Sequence, residues 1–369
     1  MHVLVVDDSA VVRMAVTEIL KCHADVTVAT AADPLLAIRR MQDKRPDVIL
    51  LDLAMPHMDG LTFLRRIMSR DPIPVVICSA LAERGTATAI RALEEGAVDL
   101  VTKPQLGVRD FIAESAMILV DTLRGASKVR MRPARQVAIA PKNTADAVLP
   151  PRVRPATTAG HSERIIAVGA STGGPEAIRE FLQRMPADAP GIVIVQHMPE
   201  VFTAAFARRI DQLVGVEVKE AEEGDRVVSG RAFIAPGNRH MLVRRRGAEY
   251  VIELSDGPLV SRHKPSVDVL FRSVAQAAGA KAVGVIMTGM GDDGASGLLE
   301  LRQSGASTLA QDEATCAVFG MPKEAIARGG AESVLPLHRL GDAALALTRA
   351  AASRSNTPNR VSTRISTRD

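Results

Sequence analysis

Two sets of polar residues in this sequence have types and spacings that could support chemistry. The first set joins three carboxylates to one ammonium group, and its members follow short apolar runs: Asp7, Asp8, Asp52 and Lys103. Clustered carboxylates need a hard cation or a proton, and Mg²⁺ fits because it takes oxygen ligands and keeps positions for water and a phosphoryl group. A carboxylate can also be the nucleophile in phosphoryl transfer. The set therefore predicts a phosphate-and-magnesium site.

Two side chains would assist the phosphoryl group at this site. The ammonium group of Lys103 would balance charge on the phosphoryl oxygens, and the hydroxyl group of Ser79 would hydrogen-bond one of them. The alternative is that each aspartate only caps a helix, and for Asp7 alone capping is the better explanation. The coincidence of these groups at four predicted strand ends favours the site.

The second set begins with a serine on a glycine-rich turn. Residues 169–173 fit the pattern G-x-S-x-G, a strand-turn-helix unit that exposes the hydroxyl group of Ser171. The helix that follows would supply free N–H groups for a developing oxyanion. Such turns also bind phosphates, but the spacing is not the G-x-G-x-x-G of dinucleotide sites. A nucleophilic serine is the favoured interpretation.

A nucleophilic serine needs a base and an acid that orients the base. His197 follows the next apolar run, and Asp293 follows a later one, so both can reach Ser171 at the edge of one sheet. The pattern does not exclude His240 or His263 as the base. Asp292 is the alternative acid.

The elements that would hold both sets are short strands that alternate with helical stretches. The predicted strands cover residues 3–6, 48–51, 75–78 and 99–101 in the first third, then residues 164–168, 192–195 and 282–287. This alternation predicts parallel sheets with ligands at the carboxyl ends of the strands. Both halves of the chain are therefore expected to be α/β.

The first 124 residues resemble the receiver domain of bacterial response regulators. The matching positions are Asp7, Asp8, Asp52, Met55-Pro56, Asp59-Gly60, Ser79 and Lys103-Pro104, while Leu100 stands where receivers often carry an aromatic residue. The resemblance implies a flavodoxin-like (βα)5 fold. It also implies that Asp52 accepts phosphate from a histidine kinase, with Mg²⁺ held by Asp7, Asp8 and Asp52.

The whole chain resembles the chemotaxis protein-glutamate methylesterases, the CheB family. The matching stretches are residues 169–174, 196–199, 235–237 with His240, and 288–294. The resemblance implies a doubly wound, mostly parallel esterase domain with Ser171, His197 and Asp293 as the triad and the backbone N–H groups of Thr172 and Met290 as the oxyanion hole. It further implies hydrolysis of γ-glutamyl methyl esters on chemoreceptors, deamidation of receptor glutamines, no cofactor for the esterase, and activation by phosphorylation.

Composition and charge limit the other function classes. The pI of about 9.1 comes from two segments, residues 125–163 with seven Lys/Arg against two acids and residues 350–369 with four Arg against one. With one Tyr and no Trp, base-stacking platforms for nucleic acid are scarce. The three cysteines have no metal or disulfide spacing. We expect a cytoplasmic protein without a signal peptide, membrane insertion or nucleic-acid partner.

The expected domains are a receiver (1–124), a flexible basic linker (125–163), a catalytic domain (164–352) and a disordered tail (353–369). Two competing functions remain. A DNA-binding response regulator would carry a short basic output domain, which the βα-patterned second half does not resemble. A regulated adaptor or nucleotide-binding domain would leave Ser171 as a plain loop residue.

Overall fold

The computed structural model describes residues 1–55, 60–79, 83–103, 109–129, 131 and 164–355. Pro56, Asp59 and Pro104 of the receiver-like motif lie outside the described residues, as do residues 132–163 of the predicted linker and residues 356–369 of the predicted tail. Helices continue slightly past two predicted boundaries, because α5 ends at Ala126 and α11 ends at Ser355.

The first unit is a five-stranded parallel sheet in the order β2-β1-β3-β4-β5. Its strands are β1 (His2–Val6), β2 (Thr27–Ala31), β3 (Val48–Asp52), β4 (Val75–Ser79) and β5 (Asp99–Thr102). Its helices are α1 (Ala10–Lys21), α2 (Pro34–Asp43), α3 (Gly60–Arg70), α4 (Glu83–Glu94) and α5 (Arg109–Ala126). Every residue of β3 and β4 is buried, as expected of strands covered by helices on both faces.

The second unit contains a seven-stranded parallel sheet in the order β15-β14-β13-β6-β7-β10-β8 and a three-stranded antiparallel sheet in the order β11-β12-β9. The strands are β6 (Ile165–Ala170), β7 (Gly191–Gln196), β8 (Glu217–Glu220), β9 (Arg226–Val227), β10 (Arg231–Ile234), β11 (His240–Arg246), β12 (Glu249–Ser255), β13 (Ala282–Ile286), β14 (Ser307–Gln311) and β15 (Ser333–Leu335). The helices are α6 (Gly174–Gln183), α7 (Glu200–Asp211), α8 (Val267–Ala278), α9 (Ala295–Gln303), α10 (Met321–Ala327) and α11 (Leu337–Ser355).

The order of the larger sheet determines where a site can form. Strand β6 lies between β7 and β13, so the chain leaves β6 in one direction and returns on its other side. Ligands bind at such a switch point, outside the carboxyl ends of the strands. Ser171, His197 and Asp293 follow these three neighbouring strands. The predicted α/β fold is confirmed for both units, although the antiparallel sheet was not predicted.

The first unit packs directly against the second. Helix α4 contacts α7, and Glu94 forms an ion pair with Arg209 across the boundary. The C-terminal part of α5 also reaches the second unit, where Gly125 lies against Thr172 and Met290.

No described helix is long and apolar enough to span a membrane.

Candidate active site

The serine turn is held by the loop after β13. The Ser171 N–H donates to the Thr288 carbonyl at 3.0 Å, and the Gly174 N–H closes the turn on the Ser171 carbonyl at 2.6 Å. Gly173 has φ +77°, and a Cβ built there would lie 2.4 Å from Ala317 Cβ. Only glycine fits both constraints. The turn therefore delivers Ser171 directly before α6.

His197 and Asp293 meet beside this turn. The His197 Nε2 atom lies 2.8 Å from Asp293 Oδ2. The Asp293 carboxylate also accepts hydrogen bonds from Ser266 Oγ at 2.7 Å, Val267 N at 2.7 Å and Asp268 N at 3.1 Å. These donors belong to the N-terminus of α8, where the helix dipole stabilises a negative charge.

The hydrogen bonds decide the charge of the buried acid. Burial alone would raise the pKa of Asp293, but bonds from His197, Ser266 and Val267 outweigh burial and lower the pKa to about 2. Asp293 is therefore an anion at any physiological pH. It can orient His197 and stabilise the imidazolium ion that forms when His197 takes a proton.

The second ring nitrogen of His197 is the one available to a nucleophile. His197 Nδ1 is buried and has no hydrogen-bond partner in the described part of the chain. No hydrogen bond joins Ser171 to His197 among these residues, and catalytic hydrogen bonds often tighten only when substrate binds. In chymotrypsin-type triads the histidine bonds its acid through Nδ1, whereas His197 meets Asp293 through Nε2.

Each alternative base and the alternative acid has a hydrogen-bond or ion-pair partner of its own. His240 Nδ1 accepts from Ser266 N at 3.2 Å while its Nε2–H donates to the Pro258 carbonyl at 2.8 Å, which uses both nitrogens. Asp292 is exposed and pairs with Arg328 at 2.6 Å. His263 donates from Nδ1 to the Ser261 carbonyl at 2.7 Å. The geometry thus favours His197 and Asp293 within the predicted sets.

Thr172 and Met290, the predicted oxyanion residues, lie side by side. A Cβ added to Gly125 of α5 would lie 3.0 Å from Thr172 Oγ1 and 3.4 Å from Met290 Sδ, so both side chains contact the same part of α5. Neither backbone N–H donates a hydrogen bond within the described residues. Two such donors could bind an oxyanion that develops beside Ser171.

Two supporting residues were not assigned a role from the sequence. The Gln196 Nε2 group donates to the carbonyls of Ser171 and His197 at 3.0 Å each, which ties the serine turn to the histidine loop. Ser266 is the N-cap of α8 and bonds Asp293. Its place before an apolar helical stretch is a signal that sequence analysis could have used.

The acidic site of the first unit lies at the carboxyl edge of its sheet. Lys103 Nζ lies 2.8 Å from Asp7 Oδ2 and 2.7 Å from Asp52 Oδ2. Asp7 and Asp52 are buried, whereas Asp8 is exposed. Ser79 ends the neighbouring strand β4, and its carbonyl accepts from the Lys103 N–H at 3.0 Å.

The charges at this site are incompletely balanced. Burial raises the pKa of Asp7, and the hydrogen bond from Lys103 offsets only part of this effect. Burial would lower the pKa of Lys103, but its bonds to Asp52 and Asp7 more than compensate and raise it.

The donor set at this edge suits a hard cation. Oxygen atoms of Asp7, Asp8 and Asp52 all lie within 4.8 Å of one another. Three carboxylates against one lysine leave an excess of negative charge, which a divalent ion would neutralise. His197, His263 and Asp293 also lie within 4.8 Å of one another, but the two rings are stacked face to face and their in-plane lone pairs do not converge on one ion.

The fold and the two sites define a class of protein: a receiver-type α/β domain joined to an α/β domain with a hydrolase-like serine turn. Comparisons with known proteins place the chain within that class. A response regulator receiver domain model matches residues 3–112, and a CheB methylesterase model matches residues 166–344.

Relatives match almost the whole chain. A protein-glutamate methylesterase/protein-glutamine glutaminase of Anaeromyxobacter dehalogenans is 60% identical and covers 94% of this chain and 97% of its own length. Another of the same description from Geobacter metallireducens is 56% identical over 94% of this chain and 98% of its own. The chain therefore belongs to the CheB methylesterase family.

Proposed function

We propose that this chain is a phosphorylation-activated serine hydrolase that demethylates γ-glutamyl methyl esters on chemoreceptors and deamidates receptor glutamines, and so provides adaptation in chemotaxis signalling. The names of its relatives supply the reaction. The observation that supports a triad is the environment of His197, whose Nε2 is bonded to the ionised Asp293 while buried Nδ1 has no hydrogen-bond partner among the residues that the structure describes. A histidine in this state is prepared to accept a proton.

The proposed reaction has two halves. Ser171 Oγ attacks the γ-carbonyl carbon of the methyl ester while His197 Nδ1 takes the hydroxyl proton. The backbone N–H groups of Thr172 and Met290 hold the oxyanion. When the tetrahedral intermediate collapses, His197 returns the proton to the departing methoxide and methanol leaves an acyl-enzyme. Water, activated by His197, then releases Ser171 and a glutamate carboxylate.

The same groups can deamidate glutamine. The amide carbonyl presents the same carbon to Ser171, and His197 protonates the leaving nitrogen so that ammonia departs in place of methanol. Hydrolysis of the acyl-enzyme is unchanged. Both substrates therefore give the same glutamate product from one site.

The receiver would supply the control. Asp52 would accept a phosphoryl group from a histidine kinase, with Lys103 and Ser79 against the phosphoryl oxygens. Bound Mg²⁺, held by Asp7, Asp8 and Asp52, would screen charge between the carboxylate and the entering phosphoryl group. The added charge would bias an interface between two arrangements of the domains.

The contact at the oxyanion residues supports inhibition by the unphosphorylated receiver. Gly125 of α5 lies against Thr172 and Met290. Asp99, at the start of β5, is buried and hydrogen-bonds the Thr172 side chain. A receptor helix that approaches the proposed oxyanion residues beside Ser171 would meet these receiver residues first. Phosphorylation would release the receiver and uncover the site.

A fluorophosphonate probe tests the catalytic assignment. Such probes react with serines that an adjacent base activates. We expect labelling of Ser171 in the phosphodonor-activated chain and none in the Ser171→Ala variant. Absence of labelling in the activated wild type would favour the adaptor function instead.

A further inference from the structure

The turn that carries His263 has an unfavourable backbone. Two hydrogen bonds close it, Val260 N to the His263 carbonyl at 3.1 Å and His263 N to the Val260 carbonyl at 2.9 Å. Its central residues both adopt left-handed conformations, with φ 51° at Ser261 and 67° at Arg262. Such turns normally contain glycine, asparagine or aspartate. Backbone strain of this kind persists where surrounding structure holds it, often at functional sites.

The turn places a second aromatic ring against the proposed catalytic base. The rings of His263 and His197 are stacked, with centroids 3.7 Å apart and planes 6° from parallel. The His263 ring is tethered by its Nδ1–H bond to the Ser261 carbonyl. The Ser261 hydroxyl in turn lies 3.1 Å from Asp268 Oδ2 on α8, the helix whose N-terminus holds Asp293. The two stacked rings are therefore anchored to α8, the same helix whose N-terminus binds Asp293.

We propose that His263 is a positioning residue for catalysis, because its ring forms a flat wall that holds the plane of His197. This inference rests on the proposed triad. One hydrogen bond from Nε2 to Asp293 still allows the His197 ring to tilt about that bond. The stacked ring removes this freedom and keeps Nδ1 directed toward Ser171.

The charge state of His263 suits this role. Burial and the neighbouring His197 lower the pKa of His263 to about 3, so its ring stays neutral. A neutral ring can remain stacked when His197 becomes an imidazolium ion, since an aromatic face attracts a cation. Asp293 raises and Arg262 lowers the pKa of His263 further. A proton-transfer role for His263 is the competing explanation.

Two substitutions separate the ring from its nitrogens. His263→Phe keeps a flat ring but loses the tether to Ser261, whereas His263→Asn keeps a donor for that carbonyl but loses the ring. Exposed His338 on α11 provides a matched control as His338→Ala. The full-length, phosphodonor-activated chain should be assayed for methanol release from methylated receptor membranes and for the rate of fluorophosphonate labelling at Ser171, with melting temperatures for all variants.

We expect His263→Asn to lower kcat and the labelling rate by about 10–100-fold with little change in KM, because a small misplacement of a catalytic group has this effect. His263→Phe should retain most of the wild-type rate, and His338→Ala all of it. An Asn variant as fast as wild type would overturn the proposal. A Phe variant as slow as the Asn variant would overturn it too, because a nitrogen would then be required. If the wild type is not labelled at Ser171, the triad itself fails.

Discussion

The acidic site of the receiver and the catalytic site of the second unit both lie at the carboxyl edge of a parallel sheet, but they treat buried carboxylates in opposite ways. Asp7 and Asp52 share one lysine, and burial raises the pKa of Asp7. Asp293 accepts three bonds at a helix N-terminus besides that from His197, and its pKa is about 2. Lys103 alone does not balance the carboxylates of the first site, so a bound cation would be stabilised there. The hydrogen bonds to Asp293 keep the second site at one fixed negative charge.

Removing the charge at the second site should lower the rate by several orders of magnitude. Asp293→Asn should lower methanol release by roughly 10³–10⁴-fold, because an amide favours the wrong tautomer of His197 and cannot stabilise an imidazolium ion. Asp292→Asn is the matched control, since the exposed Asp292 carboxylate pairs with Arg328 at the surface. Its rate should stay near wild type. If Asp292→Asn is the more damaging change, the acid has been assigned wrongly.

Removing the proposed nucleophile, Ser171, tests whether the catalytic site and the acidic site work independently. Ser171→Ala should abolish methanol release while the receiver still accepts phosphate at Asp52, because the two sites belong to different sheets. Losses from Ser171→Ala and His197→Ala should not add, since triad members act as a unit. Phosphorylation can be followed with a labelled phosphodonor. Methanol release by the Ser171→Ala variant would contradict the assignment.

The contact between the two regions can be broken at Gly125. A Cβ added to Gly125 would already lie close to Thr172 and Met290. The larger side chain of Gly125→Val would therefore push α5 away from the catalytic domain. Basal methanol release without a phosphodonor should rise about 5–30-fold, the shift that a loss of 1–2 kcal/mol from the closed state produces. Met117→Val, on an exposed part of the same helix, should leave basal activity unchanged. Equal basal rates in both variants would count against inhibition through this contact.

A smaller effect is expected from Asp99, a buried acid that interacts with Thr172 at this contact. Burial raises the pKa of Asp99 from 3.8 to about 6, although its bonds to Leu100 and Thr172 oppose the change. A raised pKa means that the folded, docked state favours the protonated form. The contribution of protonated Asp99 to the free energy of unfolding is fully present below about pH 4, and it is lost as the pH rises toward 6.

Urea unfolding of wild type and Asp99→Asn measures this contribution. The stability of wild type relative to the variant should fall by on the order of 1 kcal/mol between pH 4 and pH 6.5. A constant difference across that range would show that Asp99 does not titrate at the contact.

The sequence predicted four strands of the first parallel sheet (β1, β3, β4 and β5) and three of the larger one (β6, β7 and β13), because an apolar run precedes a proposed site residue in each case. Strands β2, β8, β10, β14 and β15 were not predicted, and no proposed site residue follows them. It did not predict the antiparallel sheet, whose strand β11 ends in Arg244-Arg245-Arg246 and lacks a sustained apolar alternation. It also could not show the stack of His263 on His197, which depends on two non-glycine residues with positive φ. The contact of Gly125 with Thr172 joins residues far apart in the chain, and no local pattern encodes it.

The central claim is that the acidic site controls the catalytic site, and one experiment tests it most directly. Methanol release from methylated receptor membranes should be measured for wild type and Asp52→Asn, each with and without a small phosphodonor and Mg²⁺. Asparagine keeps the shape of the side chain but cannot form an acyl phosphate, so the variant should keep the low basal rate and show no stimulation. Wild type should be stimulated. Equal stimulation of both proteins would contradict the account, because phosphorylation of Asp52 would then not be the switch.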